Sequence, residues 1–424
     1  MRALGRGDLT ALAVNGIIGA GIFGLPSAVA GLLGNASPIA FIACAAIVGI
    51  IVLCFAEIAS HFNETGGPYL YARSVFGGLV GFEVGWAVWL ARVSSFAANS
   101  NLLISYFGFF VPGADVGWGR IAGITTVVAF LTVVNVRGVV LGAHIGDAFA
   151  IVKIIPLVAF GTIGLLFVEW DTFAMIRMPE SASFGSAVLL LVYAFTGFEY
   201  AAIPAGEAKD PKKDISWALV YALGIAAAIY LAVQVVAVGT LPTLAQSERP
   251  LADAGRSFLG PVAGGMMALA ALVSIFGNLS AVMLIGPRLT YAFAERGEFP
   301  AFFGRLHSRF RTPVGSIVVF ALMGWLLALS GTFVWLATIS VVARLGAYMV
   351  TCAAVPILRK RSEGRPAFQL MFDPLFPVLA FILGIWLYAQ TNLDDSLAFL
   401  VAVVVGGIVY FGMRRRQPQK STIE

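Results

Sequence analysis

Charge is what this chain has least of. Only 12% of its 424 residues are Asp, Glu, Lys or Arg, about half the share found in ordinary water-soluble domains. A solvated surface wide enough to cover a soluble core of this length is therefore excluded. Reactive side chains are equally few. The three histidines, His61, His144 and His307, fall on different connections or helix ends, without metal-ligand spacing or a matched nucleophile. Cys44, Cys54 and Cys352 all lie inside apolar stretches, which suggests neither a disulfide framework nor a metal cluster. No Gly-Lys-Ser/Thr is present and no glycine run follows a strand, so a phosphate loop and an ATP-driven pump are not expected. The chain reads as a non-enzyme with no metal and no cofactor. Its energy would come from an ion gradient, with a proton as the coupling ion, or from exchange.

Apolar residues are what the chain has in abundance. They make up 59% of it, and the mean hydropathy is +0.92. They fall into runs of roughly 18 to 28 residues, the length a helix needs to cross about 30 Å of hydrocarbon. Twelve such runs are expected, near 10–33, 37–60, 77–109, 120–136, 141–168, 183–207, 215–240, 262–294, 314–329, 333–358, 371–390 and 395–413. The fold class is an all-α membrane protein with no room for a globular domain between spans. Arg2 and Arg6 ahead of an apolar stretch ending in Ser27-Ala28-Val29-Ala30 imitate a secretory signal. The stretch runs on past that point and leads into eleven more, so it reads as the first span.

With a cytoplasmic N-terminus, the loops on that side collect most of the basic residues, from Arg73 and Arg137 through Lys209, Lys212 and Lys213 to Arg305, Arg309, Arg311 and Arg359-Lys360-Arg361. The opposite face holds Arg120, Arg177, Arg249 and Arg256. That bias, with an even number of spans, predicts a multi-pass protein of the plasma or inner membrane with both termini in the cytoplasm. It also accounts for the pI near 9.2 without nucleic-acid binding.

Two of the apolar runs are interrupted by glycine. Gly16, Gly19, Gly21 and Gly24 break the first, and Gly197 and Gly206, around Pro204, break the sixth. Gly/Pro-interrupted segments in corresponding places of two halves point to a secondary transporter. Spans one to five (8–168) and six to ten (183–358) are of similar length, and because five is odd the second set enters from the other side. The chain is thus expected as one transporter domain over 1–424, with two inverted five-helix repeats and two further helices over 371–413. Unwound backbone at membrane depth frees N–H and C=O groups that lipid leaves unsatisfied. The half-helix N-terminus in the first break suits an anionic group, and freed carbonyls in the second suit a cationic one. A zwitterionic amino acid matches both ends. Tight helix packing is the alternative reading of these glycines, most of all for Gly16 and Gly24.

At these residues the chain resembles the amino acid-polyamine-organocation superfamily of transporters. The resemblance runs nearly the whole length. It rests on Gly16-Ile17-Ile18-Gly19-Ala20-Gly21-Ile22-Phe23-Gly24-Leu25-Pro26, Gly66-Gly67-Pro68-Tyr69-Leu70-Tyr71-Ala72-Arg73, Phe195-Thr196-Gly197-Phe198-Glu199 through Glu207-Ala208-Lys209-Asp210-Pro211, and Pro287-Arg288-Leu289-Thr290-Tyr291-Ala292. It implies the five-plus-five inverted-repeat fold with alternating access, the first, second, sixth and seventh helices rocking against the rest. It further implies that Ile17, Gly19, Ala20 and Gly21 present backbone to the substrate carboxylate. Carbonyls near Tyr193 and Thr196 would hold the amino group beside the Gly197 break. Tyr193 or Phe195 would cover the substrate, with core packing as the other reading of both rings.

Ionisable groups at membrane depth are costly and need a partner or a water-filled cavity. Lys153 sits about twelve residues from either end of its run, roughly 18 Å of helix, farther than a lysine reaches by snorkelling. A lysine taken out of water can load and release a proton in the physiological range. Its setting, Ile151-Val152-Lys153-Ile154-Ile155, resembles that of proton-coupled members of the superfamily, which implies proton coupling. The alternative is a structural ion pair with Asp147 or Glu57. Glu199 follows the second break as a gate or as counter-charge to a cationic substrate side chain, and Glu207 reads as a partner of loop residues such as Lys209. Arg92, at the centre of the third span, either tunes side-chain selectivity from the cavity or, the favoured reading, pairs with Glu57 or Glu83 as scaffold. Arg288 and Arg344 receive no transport role.

The expected function is secondary active, proton-coupled symport of amino acids. An exchanger of cationic amino acids or polyamines, suggested by Glu199, is the alternative. A channel is remote for want of a ring of charge or carbonyls at a constriction, and a sensor is remote because the segment after about residue 413 is too short for an output domain. The expected partners are the amino acid and the lipid bilayer, and monomer and dimer both stay open.

Overall fold

The computed structural model describes residues 5–62, 67–138, 143–174, 176, 180–199, 208–361, 368–370 and 374–414, and its regular elements there are helices. The first apolar run is split into α1 (Arg6–Ile17) and α2 (Gly21–Leu33), followed by α3 (Ser37–Ala59). The Gly66–Arg73 motif, expected only as a connection, yields a short helix, α4 (Gly67–Phe76). It leads into α5 (Gly78–Phe107), α6 (Gly117–Val136) and α7 (Ala143–Gly164). The second half comprises α8 (Ser181–Phe195), α9 (Pro211–Thr240), α10 (Pro250–Glu295), α11 (Val314–Ser330) and α12 (Phe333–Arg361), and α13 (Leu375–Tyr388) and α14 (Leu393–Arg414) follow. The run expected to end at 207 leaves helix after Phe195. Pro204, Gly206 and Glu207 lie outside the described residues.

The polar content of each helix decides where it sits. α5 carries Arg92, Ser94, Ser95, Asn99, Ser100 and Asn101, all buried, and it touches α10, α11 and α12 in the middle of the molecule. α14, with Leu397, Leu400, Val401 and Val404 exposed, is an outer helix. Exposed Val378, Ile382 and Ile385 on α13 and Val318, Leu322 and Leu326 on α11 continue that apolar jacket, which suits hydrocarbon rather than water. Among the described residues, six stretches are long and apolar enough to cross a bilayer by length and composition, and shorter apolar helices accompany them. α10 begins earlier than the run near 262 suggests because a separate helical segment from Pro250 is joined to it across Gly260 (φ 79) and Pro261. A left-handed residue followed by proline bends the chain there without ending it.

Buried ion pairs tie distant helices together. The Glu57 carboxylate is held by Arg359 of α12 through both oxygens and also accepts the Leu370 N–H at 3.0 Å. Glu57 was the expected partner of Arg92 or Lys153, and the structure gives it to Arg359 instead. The reason is that the end of α12 packs on α3 and delivers a planar guanidinium to the carboxylate. Arg73 and Glu298 form a second pair, with Tyr69 donating to Glu298 at 3.1 Å.

Candidate binding site at two helix breaks

α1 ends at Ile17 and α2 starts at Gly21, so Ile18, Gly19 and Ala20 are not helical. The carbonyls freed at the end of α1 are taken by side chains from other helices. Lys153 of α7 donates to the Asn15 carbonyl at 2.7 Å and to that of Ile18, and Tyr230 of α9 donates to the Ile17 carbonyl at 2.9 Å. A cation at a helix C-terminus is the favourable sense of the helix dipole. The amides of Gly19 and Ala20 make no backbone hydrogen bond among the described residues, which leaves donors pointing from the start of α2.

The second break has the opposite chemistry. α8 ends at Phe195, Thr196 is extended, and Gly197 has φ +100. The Gly197 N–H is accepted by the Glu199 carboxylate at 3.0 Å, and that carboxylate is held by Arg344 at 3.0 Å and by the Tyr348 hydroxyl at 3.2 Å. The Tyr193 carbonyl accepts both the Thr196 N–H at 3.3 Å and the Thr196 hydroxyl at 2.8 Å.

The two breaks touch. A Cβ on Gly197 would collide with the Gly16 carbonyl, one on Gly21 would lie 2.5 Å from the Ala194 Cα, and one on Gly19 would lie 2.8 Å from the Asn278 amide nitrogen. At Gly197 and Gly21 glycine is required by backbone approach, and at Gly19 it makes room for the Asn278 side chain. At Gly24 too the missing Cβ makes room for side chains, those of Phe333 and Leu102.

Between the breaks lies a polar cavity walled by the backbone at Gly16, Gly19, Ala20 and Gly21, by Tyr193, Thr196 and Gly197, and by Ser95, Asn99, Asn278 and Arg344. It encloses about 20 Å³, room for roughly one water. The Tyr193 hydroxyl binds Ser95 at 3.0 Å and Asn99 at 2.6 Å, and Asn99 donates to Asn278 at 2.8 Å. The Tyr193 ring meets Phe333 edge-on at 5.9 Å.

Of the residues singled out in the sequence, Gly19, Ala20, Gly21, Tyr193, Thr196 and Gly197 line this cavity. Ile17 and Phe195 do not: the Ile17 carbonyl turns to the Tyr230 hydroxyl, and the Phe195 ring packs on Tyr230 at 5.2 Å. Lys153 stands behind the first break and reaches it through carbonyls. Glu199 stands behind the second, and Arg92 is buried in α5 away from the lining. The Asp147 side chain lies outside the described residues. The sequence singles out neither Ser95, Asn99 nor Asn278, and Arg344, given no transport role there, stands on the cavity wall. Asn99 and Asn278 were visible as amides inside apolar runs, but their facing one another across 179 positions was not.

A family model described as amino acid permease matches residues 4–412. The serine/threonine exchanger SteT of Bacillus subtilis is 29% identical, over 96% of this chain and 95% of that relative. The branched-chain amino acid permease BcaP of the same organism is 27% identical, over 98% and 93%. A putative arginine/ornithine antiporter, also from B. subtilis, is 27% identical over 95% of each.

Proposed function

The chain belongs to the amino acid permease family, and we propose that it carries a small neutral amino acid with a proton, by alternating access around the two helix breaks. It is a multi-pass cell-membrane protein, a secondary transporter of amino acids and not an enzyme. In our reading twelve helices cross the bilayer, both termini are cytoplasmic, and two inverted five-helix repeats bring the breaks face to face.

One observation carries the proposal. Amides at the start of α2 that make no backbone hydrogen bond among the described residues, and the backbone beyond Tyr193, border one polar cavity. A carboxylate fits the amides of Gly19 to Gly21, and an ammonium fits the carbonyls past the end of α8. Because both lone pairs of the Tyr193 carbonyl are occupied by Thr196, the ammonium is assigned to the acceptors that follow it. Tyr193 covers the substrate, and Asn99 and Asn278 meet its side chain. Glu199 is spent on Arg344, Tyr348 and the Gly197 amide, so it offers no counter-charge to a basic side chain. That favours a neutral substrate over the cationic alternative. With room for about one water, the cavity takes a substrate only as α1, α2 and α8 shift against the buried α5.

Lys153 is the proposed proton carrier. Protonated, it clamps the carbonyls of Asn15 and Ile18 and holds α1 in place. Neutral, it releases them and the first break relaxes. The relatives include an exchanger and an antiporter by name, so exchange is the second reading. Uptake of labelled serine, leucine or arginine into proteoliposomes separates the two. Symport predicts accumulation of a neutral amino acid driven by an inward pH gradient alone. Accumulation only in counter-loaded vesicles, whatever the gradient, would establish exchange.

A further inference from the structure

Where α6 ends and α11 begins, at one end of the bundle, two chain segments that bear four exposed arginines meet. The segment between α10 and α11 is a built loop: the His307 N–H donates to the Thr312 carbonyl at 2.9 Å, and the His307 ring accepts the amides of Arg309 and Phe310. Arg311 occupies the left-handed region (φ 55), and Arg309 lies over the Phe310 ring. The loop is pinned to the end of α6, since Thr312 donates to the Val136 carbonyl at 2.7 Å and Gly138 abuts the Phe310 carbonyl. Arg137 lies between the two residues that meet the loop, Val136 and Gly138, and the loop carries Arg305, Arg309 and Arg311; all four arginines are exposed. None of the four forms an ion pair among the described residues.

The surface leading away from this cluster is apolar. One helical turn back from Arg137 stands exposed Val133, with Phe130 beyond it. One turn into α11 stands exposed Val318, then Leu322. The two helices are joined by the Trp325 indole donating to the Thr125 hydroxyl at 2.9 Å. Phe302 and Leu306, on the loop itself, are also exposed.

From this juxtaposition we infer that the α6–α11 seam is a binding site for an anionic phospholipid, its headgroup phosphate on Arg137, Arg305, Arg309 and Arg311 and its acyl chains along the exposed faces of both helices. The chemistry is that of a fork-shaped donor meeting phosphate, in a place where the helices already face hydrocarbon. A diffuse positive surface potential would attract anionic lipids without choosing among arginines. A loop that carries three of them and is pinned to the helix end that bears the fourth makes the attraction local. The inference is independent of which solute is transported.

Native mass spectrometry of the purified protein, titrated with phosphatidylglycerol, phosphatidylcholine or soluble glycerol phosphate, tests it. Wild type should retain phosphatidylglycerol in preference to the other two. The triple variant Arg137→Gln, Arg305→Gln, Arg309→Gln should weaken that retention at least about tenfold, and Arg309→Gln alone should weaken it in part. Arg311 is left in place because its backbone conformation resists an uncontrolled change. A charge-matched variant at the same end, Lys209→Gln, Lys360→Gln, Arg414→Gln, should keep wild-type retention. Equal losses in both triple variants, unchanged retention in the first, or equally tight binding of glycerol phosphate would each overturn the seam as a lipid site.

Discussion

The two helix breaks meet the same physical demand in opposite ways. At the first, loose carbonyls are satisfied by a cation, Lys153, which arrives from a separate helix. At the second, a loose amide is satisfied by an anion, Glu199, two residues along the same chain and bound in turn by Arg344 and Tyr348. A cap borrowed from a neighbouring helix can let go. A cap inside a buried ion pair is hard to release, because an unpaired charge left in a low-dielectric interior is costly. The first break is therefore the adjustable one and the second the fixed one.

Replacing Gly197 with alanine strikes the fixed side hardest. The residue is at φ +100 and its Cβ would strike the Gly16 carbonyl, so strain of about 1–3 kcal/mol adds to a backbone collision. Transport should fall by about a hundredfold or more, with part of the loss appearing as lower yield of folded protein. Gly24→Ala, where only side chains must move, should be milder. If the two alanine variants behaved alike, close approach of the breaks would not be what glycine supplies.

Lys153→Ala tests the adjustable side. It should abolish uptake driven by a pH gradient while leaving substrate binding in detergent measurable, since the lysine touches α1 carbonyls and not the cavity. Proton-driven uptake at the wild-type rate would remove Lys153 from the mechanism. Glu199→Gln tests the fixed side by leaving Arg344 without its counter-charge. The expected cost is about 3–5 kcal/mol of stability, read as a lower unfolding midpoint, with proton coupling intact in whatever protein remains folded. A reversed pattern, coupling lost in Glu199→Gln and kept in Lys153→Ala, would invert the comparison.

The fixed and adjustable sides were not equally legible in the sequence. Both breaks were, because glycine in an apolar run is a local signal, and Lys153 was, because one charge in such a run stands out by composition. Most helix boundaries followed from apolar length, but not the end of α8 at Phe195 or the start of α10 at Pro250. α4 escaped notice because its ten residues carry no membrane-length signal. The partner of Glu199 escaped too: Arg344 lies 145 positions away, and nothing local distinguishes it from another buried arginine such as Arg92. Glu57, offered in the sequence as one of two possible partners for Arg92 and for Lys153, goes to Arg359 for the same reason: only packing brings that guanidinium to it. What the sequence hides is which side chains from distant helices arrive at one point.

The smallest expected effect concerns the wall between the breaks. Asn99 accepts from Tyr193 and donates to Asn278, so it connects the covering ring, on the fixed side, to the amide that stands over Gly19, on the adjustable side. Asn99→Ala removes two hydrogen bonds but opens space that water can enter, and the net loss should be near that of one bond, about 1 kcal/mol. That corresponds to a rise in KM of about fivefold for a small polar amino acid, with the maximal rate and the response to pH unchanged. Tyr193→Phe, which keeps the ring and loses only the hydroxyl, should show a similar rise if Asn99 acts by holding that ring. A much larger effect of Asn99→Ala than of Tyr193→Phe would mean that Asn99 contacts the substrate itself, and the wall would then belong to recognition and not to the coupling of one break to the other.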